Sequence, residues 1–355
     1  MVRIDADAHV DESDATWEYM DAAEQHLKPL TLTGPENTAL SSGDSRVHRL
    51  WLLDGRVQLR RTRNDARSGT TAAVRELADV EGRVRHLDRL GIDVQVLYPT
   101  VLLGAVAARP EVEVALCRSY NRWIAQATER SRGRLRWVAV VPLLDMDEAL
   151  RQLRWAKDHG ACGVLKRGIE HGKVISDPCF FPLYEEAMRL DLPICIHVGP
   201  GDPRVAALSP FEGTSRFEKP FLSAFECLIV YGLPDRFPTL RVGFIETMAS
   251  WLPYVIADLS ARNTFNRNSQ PWSLQADLLR RSRIYVAVQT SEDLPYLLKF
   301  GTEDNLLVGT DYTHEDQSAV LGVFQHFEDM AGRGEIPRAV VPKMFEDNPR
   351  AFYGL

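Results

Sequence analysis

The chain alternates eight short apolar runs with amphipathic segments, and this alternation constrains the fold more than any other feature of the sequence. Strand-length runs followed by helical segments imply parallel strands joined by right-handed crossovers. Eight such units predict one closed α/β barrel, the (β/α)8 or TIM barrel. No Gly-x-Gly-x-x-Gly follows an early run, as a dinucleotide-binding open sheet would require. The apolar runs are residues 3–9, 92–99, 135–144, 162–166, 193–198, 240–246, 284–288 and 306–311.

Several of the intervening segments have the apolar spacing of a helix that buries one face. In the first of them, residues 74–90, leucine and valine recur at steps of three and four. Gly91, Gly160 and Gly301 follow predicted helices, where a left-handed C-terminal cap is expected. The other predicted helices cover residues 112–127, 146–159, 182–190 and 320–331.

The length of 355 residues suits a single barrel domain over residues 1–355. Residues 11–71 are too many for a simple strand-to-helix loop, and we interpret them as a cap over the mouth of the pocket. Residues 261–279 form a second long, polar stretch. Substrate specificity in such barrels is carried by loops, here residues 11–71 and 200–220.

Charge and cysteine content narrow the partners and the compartment. The net charge of −7 argues against a nucleic-acid partner. The five cysteines form no closely spaced pair, which fits a reducing compartment. No apolar run reaches the roughly 18 residues that would span a membrane. We therefore expect a cytoplasmic protein without a membrane partner.

Four of the predicted strands end in side chains that bind metal ions. The first ends in Asp7 and His9, the fifth in His197, the sixth in Glu246 and the eighth in Asp311. Because the carboxyl ends of barrel strands meet at one mouth, these side chains should converge there. A carboxylate at the end of a buried strand is costly unless it is paired or bound to a metal. The pattern predicts a divalent metal site, and alternating side-chain directions predict that Asp5 shares the inner face with Asp7 and His9.

The same segments resemble the amidohydrolase superfamily, in particular the branch that includes aminocarboxymuconate-semialdehyde decarboxylase. The resemblance runs nearly from end to end, and its segments are specific together rather than singly. They are residues 4–9, 90–100, 121–123, 140–143, 192–197, 237–238, 309–312 and 347–350.

This resemblance assigns roles to individual residues. Asp7 and His9 match the metal pair of the first strand, and His197 matches the ligand of the fifth. Asp311 matches the aspartate that holds the metal or takes the proton of its bound water. Glu246 is a departure, since many members have histidine there. A shell of two imidazoles and three carboxylates allows zinc, but suits Mn²⁺ or Fe²⁺ comparatively well.

Two further residues keep alternatives open. In binuclear relatives a lysine of the fourth strand is carboxylated and bridges two metals, and here that position is Lys166. The other interpretations of Lys166 are a cation that binds a substrate carboxylate, or an ion pair with Glu246. His314 follows Asp311 by three residues and is a candidate base, a further ligand or a surface histidine. The site is thus expected to hold one ion or two.

The expected function is hydrolysis of an amide or ester, or non-oxidative decarboxylation of a small organic acid. The residues proposed to take part in the chemistry are Asp311, His197 and His314, with Lys166 as a cofactor contact. The alternative from another reaction class is a non-haem di-iron oxygenase, and a third is a barrel that only binds a ligand. The partner is a small-molecule substrate, and by family analogy the chain is expected to form a homodimer.

Overall fold

Eight parallel strands form one sheet whose order follows the chain from the first strand to the last. The computed structural model describes residues 1–33, 49–60, 65–199, 217–265, 277–315 and 317–355. The predicted (β/α)8 barrel is confirmed, with every strand inside or close to its predicted run. The strands are β1 (Ile4–His9), β2 (Val94–Tyr98), β3 (Leu135–Ala139), β4 (Ala161–Lys166), β5 (Ile194–His197), β6 (Val242–Ile245), β7 (Ile284–Val288) and β8 (Leu306–Val308).

The barrel closes at a seam between β1 and the residues that follow β8. The Asp311 N–H donates to the Asp7 carbonyl at 2.9 Å, and the His9 N–H donates to the Tyr312 carbonyl at 2.8 Å. Gly309 allows the two segments this approach, because a Cβ built there would lie only 2.4 Å from the Asp7 Cβ. The seam therefore joins the first and last strands beside the predicted ligands.

Helices flank the sheet, and no helix in the described part of the chain is long and apolar enough to cross a membrane. The main helices are α1 (Val80–Leu90), α2 (Pro110–Glu129), α3 (Met146–Asp158), α4 (Phe181–Arg189), α5 (Lys219–Val230), α6 (Leu252–Phe265), α7 (Leu294–Leu298) and α8 (Val323–Gly332). Short α-helices cover Asp65–Ser68, Ala72–Arg75, Leu233–Arg236, Leu278–Ser282, Val340–Pro342 and Asn348–Tyr353, next to a π-helix at Lys343–Asp347. Single 3-10 turns lie at Val101–Leu103 and Pro178–Phe180.

The single helix predicted over residues 74–90 is wrong in its first third. The chain there forms a short helix, Ala72–Arg75, and a break before α1 begins at Val80. The short helix ends at Arg75, and Leu77 then adopts a left-handed backbone with φ of 54°. The Asp79 carboxylate then caps α1 by accepting from the Gly82 N–H at 2.7 Å. Apolar spacing continued across this break, so periodicity alone could not reveal it. The left-handed glycines after the predicted helices are confirmed at positions 91, 160 and 301.

The segment predicted as a cap, residues 11–71, packs on α2 where the structure describes it. Its 3-10 helices Asp14–Tyr19 and Ala22–Leu27 precede an antiparallel sheet of Leu30–Thr33, Arg49–Leu53 and Arg56–Arg60. The hydroxyl of Ser119 in α2 donates to the Thr16 carbonyl at 2.7 Å. Residues 34–48 and 61–64 lie outside the described part, as do residues 200–216 and 266–276 of the other two long loops. A capping role for residues 11–71 stays a prediction.

A register shift in β1 corrects the prediction that Asp5 shares a face with Asp7 and His9. The pairing with β2 shifts by one residue between Asp5 and Ala8, which interrupts the alternation of side chains. The Asp5 carboxylate accepts from Gln95 Nε2 at 2.7 Å, and Gln95 in turn accepts from Arg83 of α1 at 2.8 Å. Asp5 therefore belongs to a network that faces a helix, and not to the group formed by Asp7 and His9.

Replacing Gly309 with alanine is expected to destabilise the protein by about 1–3 kcal/mol, because the added methyl overpacks the seam at Asp7. The measurement is the free energy of unfolding in urea. Gly332→Ala is the matched control, since a Cβ at position 332 meets nothing within 4 Å. Equal stability of the two variants would contradict the seam geometry.

Candidate metal centre

The side chains predicted at the strand ends converge on one volume at the carboxyl end of the barrel. Asp7, His9, His197 and Glu246 offer ligand atoms that all lie within 4.8 Å of one another. His197 Nε2 lies 3.3 Å from Asp7 Oδ1 and 3.7 Å from Glu246 Oε2. Asp311 joins through His9, whose Nε2 is 3.4 Å from Asp311 Oδ1. Four of these five side chains are buried, and Glu246 is partly buried.

Backbone carbonyls determine which nitrogen of each histidine faces the cluster. His9 Nδ1 lies 2.7 Å from the Pro99 carbonyl, and His197 Nδ1 lies 2.7 Å from the Val198 carbonyl. A carbonyl only accepts, so each Nδ1 carries the hydrogen, and the neutral ring presents a lone pair on Nε2. Two Nε2 lone pairs and several carboxylate oxygens thus point at one another. Only a cation, a proton or a metal ion, removes the repulsion, and this donor set fits a divalent metal.

Asp7 and His197 form a buried pair whose pKa values shift in opposite directions. Burial by itself raises the pKa of Asp7, but the neighbouring His197 and His9 outweigh it and hold that pKa below its ordinary value. Burial lowers the pKa of His197, but Asp7 and then Glu246 outweigh it and raise that pKa. The pair thus favours a proton on His197 and a negative charge on Asp7, and a metal ion would compete with that proton for the imidazole nitrogen.

Two of the carboxylate residues have a strained backbone. Glu246 has φ of 55° and Asp311 has φ of 49°, a left-handed conformation that residues other than glycine rarely adopt. Each residue comes directly after a strand or within three positions of its end, where the chain turns away. Such conformations cost on the order of 1–3 kcal/mol and cluster at functional sites. Here the strained turn is what directs each carboxylate back toward the histidines.

Ser318 links the two strained carboxylates, and sequence reasoning missed it. Its Oγ lies 2.6 Å from Glu246 Oε1 and 2.8 Å from Asp311 Oδ2. The residue comes seven positions after Asp311 in a turn, with no periodicity or motif to mark it. A hydroxyl that bonds a carboxylate orients it, so Ser318 supports the positions of Glu246 and Asp311.

His314 lies inside the cluster and not on the surface. Its Nδ1 is 2.7 Å from Asp311 Oδ1, and its ring stacks on that of His9 with centroids 3.9 Å apart. His9, Glu246, Asp311 and His314 form a second group of ligand atoms within 4.8 Å of one another. Two of the three interpretations of His314, a base beside Asp311 or a further ligand, agree with this position.

Lys166 lies apart from these groups. It pairs in register with Ile196, the residue before His197. Successive side chains of a strand point to opposite faces, so Lys166 and His197 lie on opposite faces of the sheet.

The surroundings of Lys166 explain how a buried lysine is tolerated there. Its Nζ lies 3.7 Å from the centroid of the Phe180 ring, a cation–π contact. Burial lowers the pKa of Lys166 to about 8, and Glu170 opposes that shift most strongly. Glu170 itself is paired with Arg167, whose Nη1 is 2.6 Å from Glu170 Oε1.

A buried hydrogen-bond network lies behind β1, on the face of the strand away from Asp7 and His9. Asp5 accepts from the Thr310 N–H at 2.8 Å and from the Thr310 hydroxyl at 2.6 Å. Arg83 donates to the His9 carbonyl at 3.1 Å, and its guanidinium lies 3.8 Å from the centroid of the Tyr312 ring. These contacts join β1 to the segment that follows β8, and they hold the residues next to Asp7, His9 and Asp311 in place.

A parallel barrel with a polar cluster at the carboxyl ends of its strands is the architecture of barrel enzymes. The family model described as Amidohydrolase matches residues 4–355. The chain therefore belongs to the amidohydrolase family, and the resemblance inferred from its motifs is confirmed.

Three relatives show how far the similarity extends. The chain is 24% identical over 255 residues to a 2-amino-3-carboxymuconate-6-semialdehyde decarboxylase of Dictyostelium discoideum, covering 66% of each chain. It is 27% identical over 213 residues to a gamma-resorcylate decarboxylase of Rhodococcus jostii, covering 55% of this chain and 63% of that one. Both matches thus span just under two thirds of the relative. The crystal structure of an amidohydrolase from Mycobacterium avium subsp. paratuberculosis superposes with a TM-score of 0.78 at 18% identity, covering 99% of both chains.

A divalent cation is expected to raise the melting temperature of protein stripped with a chelator, because it relieves the repulsion among the converging ligand atoms. The measurement is thermal unfolding with and without Mn²⁺ or Zn²⁺. Glu246→Ala should lose most of the gain and most of the bound metal. Glu328→Gln, which removes a carboxylate paired with Arg3, is the control and should keep both. An unchanged gain in Glu246→Ala would remove Glu246 from the ligand set.

Proposed function

We propose that this protein is a metal-dependent carboxy-lyase that releases CO₂ from a small unsaturated or aromatic acid. The observation that carries the proposal is the cluster of Asp7, His9, His197, Glu246 and Asp311, with both histidine Nε2 atoms facing carboxylates. Family membership adds to it, and both of the sequence relatives described above are named as decarboxylases.

Asp7, His9, His197 and Glu246 would hold the cation, which is Zn, Mn or Fe. When bound, such an ion supplies Lewis acidity toward a substrate carboxylate or carbonyl oxygen. Counted with Asp311, the set would offer two imidazoles and three carboxylates, which allows zinc but suits Mn²⁺ or Fe²⁺ comparatively well. Ser318 orients Glu246 and Asp311, so its hydroxyl is part of the proposed site although it is not a ligand.

Asp311 and His314 would handle the proton. Their contact of 2.7 Å between Oδ1 and Nδ1 allows one proton to be shared or passed between them. In decarboxylation the bond between the carboxylate and its carbon breaks, and the electron pair stays on that carbon. The proton held by the Asp311–His314 pair then adds to the carbon, which balances the reaction without an oxidant.

Two rival reactions differ in what they require. Hydrolysis would use the same cluster with Asp311 accepting a proton from water, and only substrate tests separate it from decarboxylation. The oxygenase alternative needs a second metal position completed by Lys166 or His314. Lys166 lies on the outer face of the sheet beside Phe180, which weakens that alternative.

The metal-loaded protein is expected to convert gamma-resorcylate or 2-amino-3-carboxymuconate 6-semialdehyde with one CO₂ released per molecule consumed and no uptake of O₂. Asp311→Asn and His314→Gln should lower kcat by about 10²- to 10⁴-fold, since each removes a proton-transfer group. His159→Gln is the control, because His159 lies at the end of α3, where its ring stacks on Trp155.

Three measurements together distinguish decarboxylation from oxygenation and hydrolysis: the CO₂ evolved, the dissolved O₂ consumed and the metal content. About one Mn, Zn or Fe per chain without O₂ consumption agrees with the proposal, whereas two irons with O₂ consumption would establish the oxygenase instead. Hydrolysis of amides or esters without CO₂ release would contradict decarboxylation.

A further inference from the structure

We propose that the turn formed by residues 100–104 is a rigid apolar wall of the substrate site, and that Glu12 and Arg167 are the positioning residues that hold it. The proposal rests on the proposed function for the identity of the site, since it assumes that an acid binds at the cation. It adds a determinant of specificity in residues that are not ligands.

Glu12 holds the amino end of the turn. Its side chain is 1% exposed, yet its two carboxylate oxygens accept from three consecutive backbone N–H groups. The distances are 3.1 and 3.2 Å to Thr100 N, 3.0 Å for both oxygens to Val101 N, and 3.2 Å to Leu102 N. A buried carboxylate with this set of donors is fully committed to the backbone of the turn.

Arg167 holds the carboxyl end of the same turn. Its Nη2 donates to the Leu102 carbonyl at 2.6 Å and also to the Gly104 carbonyl, and its Nε donates to the Leu103 carbonyl at 2.9 Å. The remaining arm is paired with Glu170 at 2.6 Å. Three successive carbonyls are therefore bound by one guanidinium, opposite the carboxylate that binds the N–H groups.

The turn is located between the metal centre and the loop after β5. The Thr100 hydroxyl lies 3.4 Å from His314 Nε2 and donates to the Val10 carbonyl at 2.7 Å. At the other end, a Cβ placed on Gly199 would be 3.6 Å from the Leu103 carbonyl oxygen. Gly199 comes two residues after His197. The turn thus borders the mouth of the barrel from the His314 side to the His197 side.

The side chains of the turn give this wall an apolar character. Leu102 is buried at 2% exposure and anchors the turn in the core, whereas Val101 and Leu103 pack against that core and keep part of their apolar surface accessible. An apolar wall beside a cation suits an acid with a flat hydrocarbon face. The carboxylate of such an acid meets the cation, and its ring or conjugated chain packs on Val101 and Leu103.

Two ligands distinguish the contribution of the apolar wall to affinity from that of the cation. Benzoate and acetate share the carboxylate, but only benzoate has a ring to pack on the turn. Their affinities for the metal-loaded protein are measured by titration calorimetry. In Leu103→Ala, Glu12→Gln and Arg167→Lys, we expect the affinity for benzoate to fall about tenfold while that for acetate stays the same.

Hydrogen exchange of the peptide that contains residues 100–104 tests the clamp without any substrate. We expect faster exchange in Glu12→Gln and Arg167→Lys, and unchanged exchange in Leu103→Ala. Glu148→Gln is the control for both measurements, because Glu148 is a buried carboxylate paired with Arg118 between the outer helices α2 and α3. It should leave the benzoate-to-acetate ratio and the exchange of the turn as in the natural chain.

Defined outcomes overturn the proposal. Unchanged exchange in folded Glu12→Gln and Arg167→Lys would mean that these residues do not hold the turn. Faster exchange with an unchanged benzoate-to-acetate ratio, also in Leu103→Ala, would mean that the turn is structural only. If one clamp variant fails to fold, the other and Leu103→Ala decide. If the natural chain releases no CO₂ from the acids tested while the benzoate-to-acetate ratio still falls in these variants, the proposed reaction is refuted and the wall is retained.

Discussion

The seam between β1 and β8 is the constraint on which the site depends. Asp7 and His9 from one end of the chain meet Asp311 from the other end in one volume, and they can do so only if the barrel closes with the correct stagger. The hydrogen bond from the Asp311 N–H to the Asp7 carbonyl sets that stagger. Gly309 lets the backbones approach, and Thr310 bonds to Asp5 from the opposite face. The same few residues therefore close the fold and assemble the cluster.

The cluster beside the closed seam has an electrostatic cost. Burying several carboxylates together is unfavourable, and the strained turns at Glu246 and Asp311 add to the cost. Hydrogen bonds to the imidazoles and carboxylates offset part of this cost in folding free energy. Pro99 and Val198 orient the imidazoles through their carbonyls, and Ser318 connects the carboxylates. The contacts that close the fold thus also bring these donor atoms together.

Much of the fold and the core of the site could be predicted from the sequence, because both follow from local patterns. Apolar runs locate all eight strands, and the rule that parallel strands end at one mouth places Asp7, His197 and Asp311 together. The errors were also local in origin. A bulge in β1 turned Asp5 to the other face, and a left-handed Leu77 interrupted a regular helical period.

The sequence by itself determined the barrel, the amidohydrolase family and which side chains stand at the strand ends, because strand and helix periods and residue chemistry are written in consecutive positions. Only the tertiary structure decided that Lys166 packs on Phe180 away from the cluster, that Ser318 bridges Glu246 and Asp311, and that Glu12 and Arg167 grip one turn. These contacts join residues distant in sequence. They depend on register, backbone strain and burial, which no short stretch of residues encodes.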